Sequence, residues 1–355
     1  MYDNKQEISD VRKEHSFDIN ALEKYMIKNI DGFSGRLSVR QFVHGQSNPT
    51  FILDDGNKRY IMRKKPPGRL LPSAHAVDRE YRIISALQNT GVPVPMALSL
   101  CADESIIGTV FYIMEYVEGR IFRSPLTPEI DNPAERAAVF DSMIDVLAEI
   151  HKVDLEKTGM SDYGKKGNYM ARQIDRWTKQ YNSSKTFEVE SMEKLIGWMP
   201  AHIPDDDTTT IVHGDYRIEN LIIHPTEPRV IAVLDWELST LGHPLADLAY
   251  NCLGYHIPDF EGKGLSFIGQ DLKKLCIPSE EKYVESYFKS VGRSRLADWE
   301  FFLVFGIFRL VAIVQGVYKR GLDGIASSEE AKSFGELVSF LANIAWKIVA
   351  GKLNN

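Results

Sequence analysis

Two short polar clusters constrain this chain more than anything else in it: "HGDYRIEN" at 213–220 and "LDWE" at 234–237. Each abuts short apolar runs, "TIV" before the first, "LIIH" after it and "VIAV" before the second. Charged groups sit this close to a core only when they are paired, bind a metal or carry chemistry. The stretch "PTEPR" at 225–229 reads as a turn, which makes "NLIIH" and "VIAVLDW" a hairpin. A hairpin brings its two ends together, so Asn220 and Asp235 are expected to be neighbours. A carboxylate and an amide oxygen converging there suit Mg²⁺, which keeps waters and phosphate oxygens as its other ligands. Asp215, on the loop before Asn220, is free to accept a proton from a hydroxyl nucleophile, and Arg217 could reach a phosphate in transit. Metal, base, cation and positioning loop are the parts of phosphoryl transfer.

The rest of the chain sets the frame. Its 355 residues predict two domains or lobes. With 42 basic and 49 acidic residues, a net of −7, it is not expected to bind nucleic acid or a membrane surface generally. Three scattered cysteines, Cys101, Cys252 and Cys276, suggest reduced thiols and a cytoplasmic location, not a disulfide framework or zinc site. The polar start "MYDNKQEISDVRKEHSFD" has no signal-peptide core. The apolar run at 301–318 contains Arg309 and Gln315, and a buried helix explains it better than a membrane span. The oligomeric state is left open.

Before residue 115 the pattern predicts three antiparallel strands near 36–43, 49–54 and 58–64, with Asp55-Gly56 as a hairpin turn. A helix follows, with Ser73 as N-cap candidate, Ala76, Ile83, Ile84 and Leu87 at helical spacing, and a stop at Gly91. Two further apolar runs complete a small sheet. The second part is mostly helical: Asn132-Pro133 opens a helix carrying Phe140, Ile144, Leu147 and His151 on one face. More helices are expected near 169–181, 186–198, 280–291, 296–319 and 328–350.

"HGDYRIEN" resembles the catalytic loop of the protein-kinase-like superfamily, and "DWE" its metal-binding Asp-Phe-Gly segment. Gly after the His and Trp-Glu after the Asp are similar to the aminoglycoside phosphotransferase and choline kinase branch. "RKKPPG", "AHAVDREY", "VPVP", "YIMEYVEG" and "LDWELSTLGHPLADLAY" more closely resemble the kinase-like domain fused to certain long acyl-CoA dehydrogenases. The likeness covers roughly residues 35–320. It implies an α+β, two-lobed kinase-like fold: a small antiparallel N-lobe (1–114), a hinge (115–120) and a larger helical C-lobe (121–355). It further implies an ATP- and Mg²⁺-dependent kinase of a small-molecule hydroxyl. Asp215 and Arg217 would be catalytic, and Asn220 and Asp235 would hold the metal. In "RYIMRKKP", Ile61 and Arg63 share a face; Ile61 would meet the adenine and Arg63 the phosphates, with Glu80 as the partner of Arg63. Family members often have Lys where Arg63 stands, and Arg favours bidentate phosphate contact; Lys64, on the other face, is the fallback. The loop "HGQSN" has a single Gly, so Gly45 and Ser47 would serve as the phosphate loop. The backbone of Glu115 and Val117 would pair the adenine edge.

Several of these residues have plainer readings. A lone Asp215 or Asp235 would more often cap a loop, and Arg63 with Glu80 would be an ordinary ion pair. His213 and His151 read as structural, and Asp247 as a buttress of the catalytic loop. Alternatives are a pseudokinase that binds nucleotide without catalysis, and a metal hydrolase using His213, Asp215, His224 and His243. The acceptor is expected to be a hydroxyacyl-CoA sooner than an aminoglycoside, with Trp299, Phe302, Phe305 and Phe308 offered to the acyl chain, although their spacing fits plain core packing at least as well, and Lys64, Lys65 and Arg69 to its phosphates.

Overall fold

The computed structural model describes residues 8–43, 48–66, 75–259, 266–294, 298–324 and 329–351. Its contacts divide the chain into two compact units. Unit 1 holds the chain up to Ile121 with Thr158–Met160 and Asn220–Ser239; unit 2 holds Phe122–Lys157, Ser161–Glu219 and the chain from Thr240 onward. Sequence order alone keeps 121–355 together, yet the hairpin at 220–239 packs with unit 1. The reason is a backbone bridge: Arg120 N–H donates to the Ile223 carbonyl at 2.7 Å, and Ile223 N–H returns to Arg120 at 2.8 Å.

Unit 1 is built on six strands: β1 (Ile8–Ser9), β2 (Ser38–Phe42), β3 (Thr50–Asp54), β4 (Arg59–Lys64), β5 (Ala97–Cys101) and β6 (Phe111–Glu115). They form one antiparallel sheet in the order β1-β2-β3-β4-β6-β5. The turn between β3 and β4 forms where Asp55-Gly56 predicts it. Asp54 Oδ1 accepts the Gly56 amide at 2.7 Å, and Gly56 adopts φ 90°, a conformation that favours glycine. Helix α1 (Ile19–Asn29) escapes the sequence pattern. Asp18 caps it by accepting the Ala21 amide at 3.0 Å, and only Leu22 and Met26, one turn apart, are buried. They pack on Phe51, Leu53, Tyr60 and Met62 of the sheet, each contributing about 2 kcal/mol by burial. Helix α2 (Val77–Leu87) buries Ile83, Ile84 and Leu87 against β5 and β6; Ser73, the expected cap, lies outside the described residues.

Unit 2 is helical: α3 (Pro133–Lys152), α4 (Tyr169–Ser184), α5 (Glu190–Trp198), α6 (Pro244–Asn251), α7 (Leu272–Leu275), α8 (Glu280–Val291), α9 (Trp299–Leu322) and α10 (Gly335–Val349). Asn132 caps α3 through the Ala134 amide at 3.0 Å, with Pro133 at the first position. Helix α9 is long and apolar enough to cross a membrane, and 78% of its apolar window is buried inside the protein, against α4, α6 and α10. Two short antiparallel pairs complete the chain. β7 (Thr210–Val212) pairs with β10 (Thr240–Gly242) in unit 2, and β8 (Leu221–Ile223) with β9 (Val230–Val233) in unit 1. The β8–β9 hairpin is the one the sequence predicts; α6, α7 and β10 are too short for its patterns.

Candidate active site

In unit 1 the candidate residues converge on one guanidinium. Arg63 leaves β4 on the side opposite Tyr60 and Met62, as alternation requires, and ion-pairs with the buried Glu80 of α2. Both its terminal nitrogens also donate to Asp235 Oδ1, at 3.2 Å each, and Glu237 Oε2 lies 3.9 Å away. One positive group thus faces three carboxylates. Burial pushes the Glu80 carboxyl up; Arg63 pulls it down, but Asp235 and Glu237 push it up further, and the net shift is upward. For Arg63, burial acts to lower the guanidinium, and Glu80 and the other acids more than offset it, so it stays charged. The buried Glu80 carboxylate also has the buried Tyr112 hydroxyl beside it. This surplus of hard oxygen is a setting that a divalent cation would relieve.

The hairpin brings its ends together as expected: Leu234 N–H donates to the Asn220 carbonyl at 2.8 Å, and Leu221 pairs with Val233. Asp235 itself is left-handed, φ 64° and ψ 57°, a region that non-glycine residues occupy only under constraint. Ile61 shares the Arg63 face and is buried, opposite Ile52 and Met114. The Glu115 amide is committed to the Met96 carbonyl at 2.8 Å, whereas the Val117 amide makes no hydrogen bond to a described residue. Lys64 points the other way. It is buried with its ammonium 5.5 Å from the Phe17 ring and 5.8 Å from the Phe51 ring, on the α1 side, and burial lowers its pKa. The fallback role for Lys64 therefore has no geometric support. Gly45 and Ser47 lie outside the described residues.

In unit 2 the loop after β7 is pinned at nearly every residue. The buried Asp247 of α6 accepts the His213 amide at 2.5 Å and the Gly214 amide at 2.8 Å. His151 stands behind it, 3.5 Å from Asp247 and 2.7 Å from the Tyr287 hydroxyl. Burial would push the Asp247 carboxyl up, but the hydrogen bond and charge of His151, with His213 and Gly214, bring it net below the usual range. His213 Nδ1 accepts the Asp215 amide at 3.2 Å. Arg309 of α9 donates to the Gly214 carbonyl at 2.6 Å. The Tyr216 hydroxyl donates to the Met143 carbonyl at 2.7 Å, and its own carbonyl accepts from Asn251 at 3.0 Å. What this framework presents is the Asp215 side chain, 18% exposed, with Arg217 Nε 3.4 Å away and Arg217 also 3.5 Å from Glu219.

Beside this loop, unit 2 contains a cavity of about 350 Å³ whose lining includes Arg217, Ile218, Glu219 and Tyr250. Burial and the nearby Asp215 carboxylate, to which it hydrogen-bonds, push the Tyr250 phenol up to about 12. Sequence reasoning missed Tyr250 and Arg309. Arg309 had a signal, a charge inside an apolar helix, but no sequence clue to its partner. The aromatic residues offered to an acyl chain are a correction. Trp299, Phe302, Phe305 and Phe308 are all buried, and none lines the cavity; Trp299 donates to Glu280 and Phe302 stacks on His243. The basic rim also dissolves: Lys64 is buried, Lys65 lies 3.7 Å from Asp78, and Arg69 is outside the described residues.

The histidines of the hydrolase alternative are each committed locally. His213 receives the Asp215 amide, His224 closes the turn at Thr226 and Glu227, and His243 caps α6 through Leu245. Among the described residues no three His, Cys, Asp or Glu side chains gather to hold a metal.

The comparisons agree with this architecture. A phosphotransferase enzyme family model matches residues 38–270. Acyl-CoA dehydrogenase family member 10 of Mus musculus is 48% identical over 95% of this chain, and family member 11 of Homo sapiens 41% identical over 95%. The chain spans only 31% and 44% of the length of those two relatives. A crystal structure from Ralstonia eutropha, provisionally named an aminoglycoside phosphotransferase, superposes with a TM-score of 0.87 at 47% identity, covering 95% of this chain and 99% of that one. A thermostable mutant of aminoglycoside phosphotransferase APH(4)-Ia, solved with AMP-PNP and hygromycin B, shares the fold at TM-score 0.60 and 16% identity, over 93% and 99% of the two chains. The family model alone covers well over half of the chain, and the chain belongs to the phosphotransferase enzyme family.

Proposed function

We propose that this phosphotransferase moves the γ-phosphoryl group of ATP to a hydroxyl group of a small molecule, and that the acceptor is a hydroxyacyl-CoA. The observation that carries the transfer reading is the presentation of Asp215 by a loop fixed through Asp247, His151 and Arg309. Asp215 accepts the proton of the acceptor hydroxyl as that oxygen bonds to phosphorus and the bond to the ADP oxygen breaks. Arg217, beside Asp215, meets the charge on the phosphoryl group, and Arg63 holds the other phosphates. Asn220 and Asp235 hold Mg²⁺, whose chemistry is to neutralise phosphate charge in transit. Ile61 and the backbone at Glu115 and Val117 take the adenine. Asp215, Asn220 and Asp235 are all present in the chain, which weighs against a pseudokinase.

Two features support the hydroxyacyl-CoA acceptor. The relatives named above are acyl-CoA dehydrogenase family members, and the cavity beside the loop has mainly carbon walls. An aminoglycoside, a polycation, needs several free acids; the acids of the cavity lining are Glu219, which is paired with Arg217, and Asp259, which is also engaged. The free Cys101, Cys252 and Cys276 fit a cytoplasmic enzyme, and the net charge of −7 fits partners other than nucleic acid or a membrane surface. Incubation with ATP and Mg²⁺ against hydroxyacyl-CoAs, amino alcohols and aminoglycosides, with mass spectrometry of the products, tests the reading. A phosphorylated aminoglycoside and unmodified acyl-CoAs would overturn the acceptor, and no transfer to any alcohol would overturn the kinase.

A further inference from the structure

The cavity of unit 2 runs from the catalytic loop to the far helices. Near the loop it is bounded by Arg217 and Tyr250, and at its other walls by Leu310 and Val314 of α9 and by Leu337 and Leu341 of α10. The four aliphatic residues lie at helical spacing, i and i+4 on each helix, so each helix turns one stripe inward. Polar atoms along the remaining wall are already committed elsewhere. The Tyr255 hydroxyl donates to the Pro278 carbonyl at 2.7 Å, and the Tyr283 hydroxyl to Asn251 Oδ1 at 2.5 Å. The Asn251 amide donates to the Tyr216 carbonyl at 3.0 Å. What faces the space is mainly carbon, with Arg217, Glu219 and Asp259 as the charged members of the lining.

At about 350 Å³ the cavity falls in the range of small-molecule sites. A ligand rich in hydroxyls or ammonium groups would lose its water against the α9 and α10 walls and find few partners there, which is unfavourable. An alkyl chain meets no such cost and gains affinity with each methylene it buries. A polar head fits at the opposite end, where Arg217 and the Tyr250 ring stand, with Arg309 4.8 Å over that ring.

We infer that this cavity is a tail site, taking the saturated hydrocarbon end of the acceptor, and that Leu337 on α10 sets the longest chain it admits. The inference rests on the proposed acyl acceptor for its role in turnover, though not for binding of the hydrocarbon itself. The site gives the acceptor its grip and its direction: with the tail seated against α9 and α10, the hydroxyl is carried toward the Asp215 end. Chain length is then read by the wall.

The test uses the full chain with two variants, Leu337→Trp to fill the space and Leu337→Ala to enlarge it, each first checked for native melting and Mg-ATP binding. Straight-chain fatty acids from six to sixteen carbons serve as binding probes in calorimetry, and 3- or 4-hydroxyacyl-CoAs of graded length as substrates. In the wild-type protein affinity should rise with length and then level off. Leu337→Trp should weaken the long probes tenfold or more and leave the short ones unchanged, and Leu337→Ala should move the plateau to longer chains. No binding of any fatty acid, or one length profile shared by all three proteins, overturns the tail site. Length-dependent binding without phosphorylation of any hydroxyacyl-CoA keeps the tail site and removes the proposed acceptor. Phosphorylation at rates indifferent to both substitutions does the reverse.

Discussion

Asp247 accepts the backbone amide of Gly214 at 2.8 Å across 33 residues of sequence, and through it α6 dictates where Asp215 points. Asp247→Ala would strand two buried amides, His213 and Gly214, costing about 2–6 kcal/mol of stability. Turnover should fall at least tenfold, because the loop relaxes before Asp215. The Asp247 carboxyl lies below the usual aspartate range. Its contribution is therefore complete above an ordinary pKa of about 4 and is lost as pH falls further. Urea titrations from pH 3 to 7 should show a shallower acid slope in Asp247→Asn than in the wild type.

Asp215→Asn keeps the size of the side chain and removes its basicity. Turnover should drop by roughly 10²–10⁴ while Mg-ATP affinity holds. Single-turnover kinetics with an accepted alcohol, alongside nucleotide calorimetry, separates the two effects. Near-full activity would mean that another group takes the proton.

The crowding of Glu80, Asp235 and Glu237 around Arg63 makes the substitutions there behave differently. Arg63→Ala leaves a buried carboxylate unpaired and should cost about 3–5 kcal/mol. Arg63→Met with Glu80→Met should recover most of that stability and still fail to bind Mg-ATP. Asp235→Asn removes a charge that pushes Glu80 up, so the ligand-free protein should melt no lower than wild type while Mg-ATP binds at least tenfold more weakly. Differential scanning calorimetry with and without Mg-ATP reads both quantities.

His243 supplies a second pH dependence. It is 1% exposed, stacked on Phe302 and capping α6, and burial brings its pKa down from 6.5 to about 4. Asp206, 3.6 Å away, opposes that shift, and Arg293 and His151 add to it. The neutral ring stabilises the fold above pH 6.5; below it the unfolded chain takes up the proton first, and stability drains as pH falls to about 4. The ceiling is about 3 kcal/mol. Melting temperature against pH should be flatter over that window in His243→Gln.

The sequence made the sites that are local in the chain legible, and less of what depends on distant contacts. Strands β2 to β4, the β8–β9 hairpin and the closing of its ends at Asn220 and Leu234 follow from alternation and turn chemistry, which act over a few residues. Arg63 with Glu80 could be drawn from a resemblance because strand and helix each carry a recognisable motif. Helix α1 was hidden because only Leu22 and Met26 face inward. Tyr250 and Arg309 were hidden for a different reason: each earns its place from a partner far along the chain, Asp215 or Gly214, and no periodicity encodes that. For the α9 aromatics Trp299, Phe302, Phe305 and Phe308 the core-packing reading holds over the acyl-chain one, and spacing could not separate the two because a helix buried nearly all round shows no preferred face.

Gly119 lies against β8 so closely that a side-chain carbon there would come within 2.3 Å of Ile222 Cγ2 and 2.5 Å of the Ile223 carbonyl. Together with the Arg120–Ile223 bridge, this fastens the segment after β6 to the hairpin that carries Asp235. The candidate residues for adenine and metal, Ile61, Glu115, Val117, Asn220 and Asp235, and the phosphate-holding Arg63 all belong to unit 1, and none of these waits on the acceptor to be assembled. The consequence is kinetic. Nucleotide should be able to bind first, with an affinity that does not change when an acceptor is present, and initial-rate patterns should show a Michaelis constant for ATP independent of acceptor concentration. Replacing Gly119 with Ala should break that independence, raising the constant for ATP while leaving the acceptor cavity as it was.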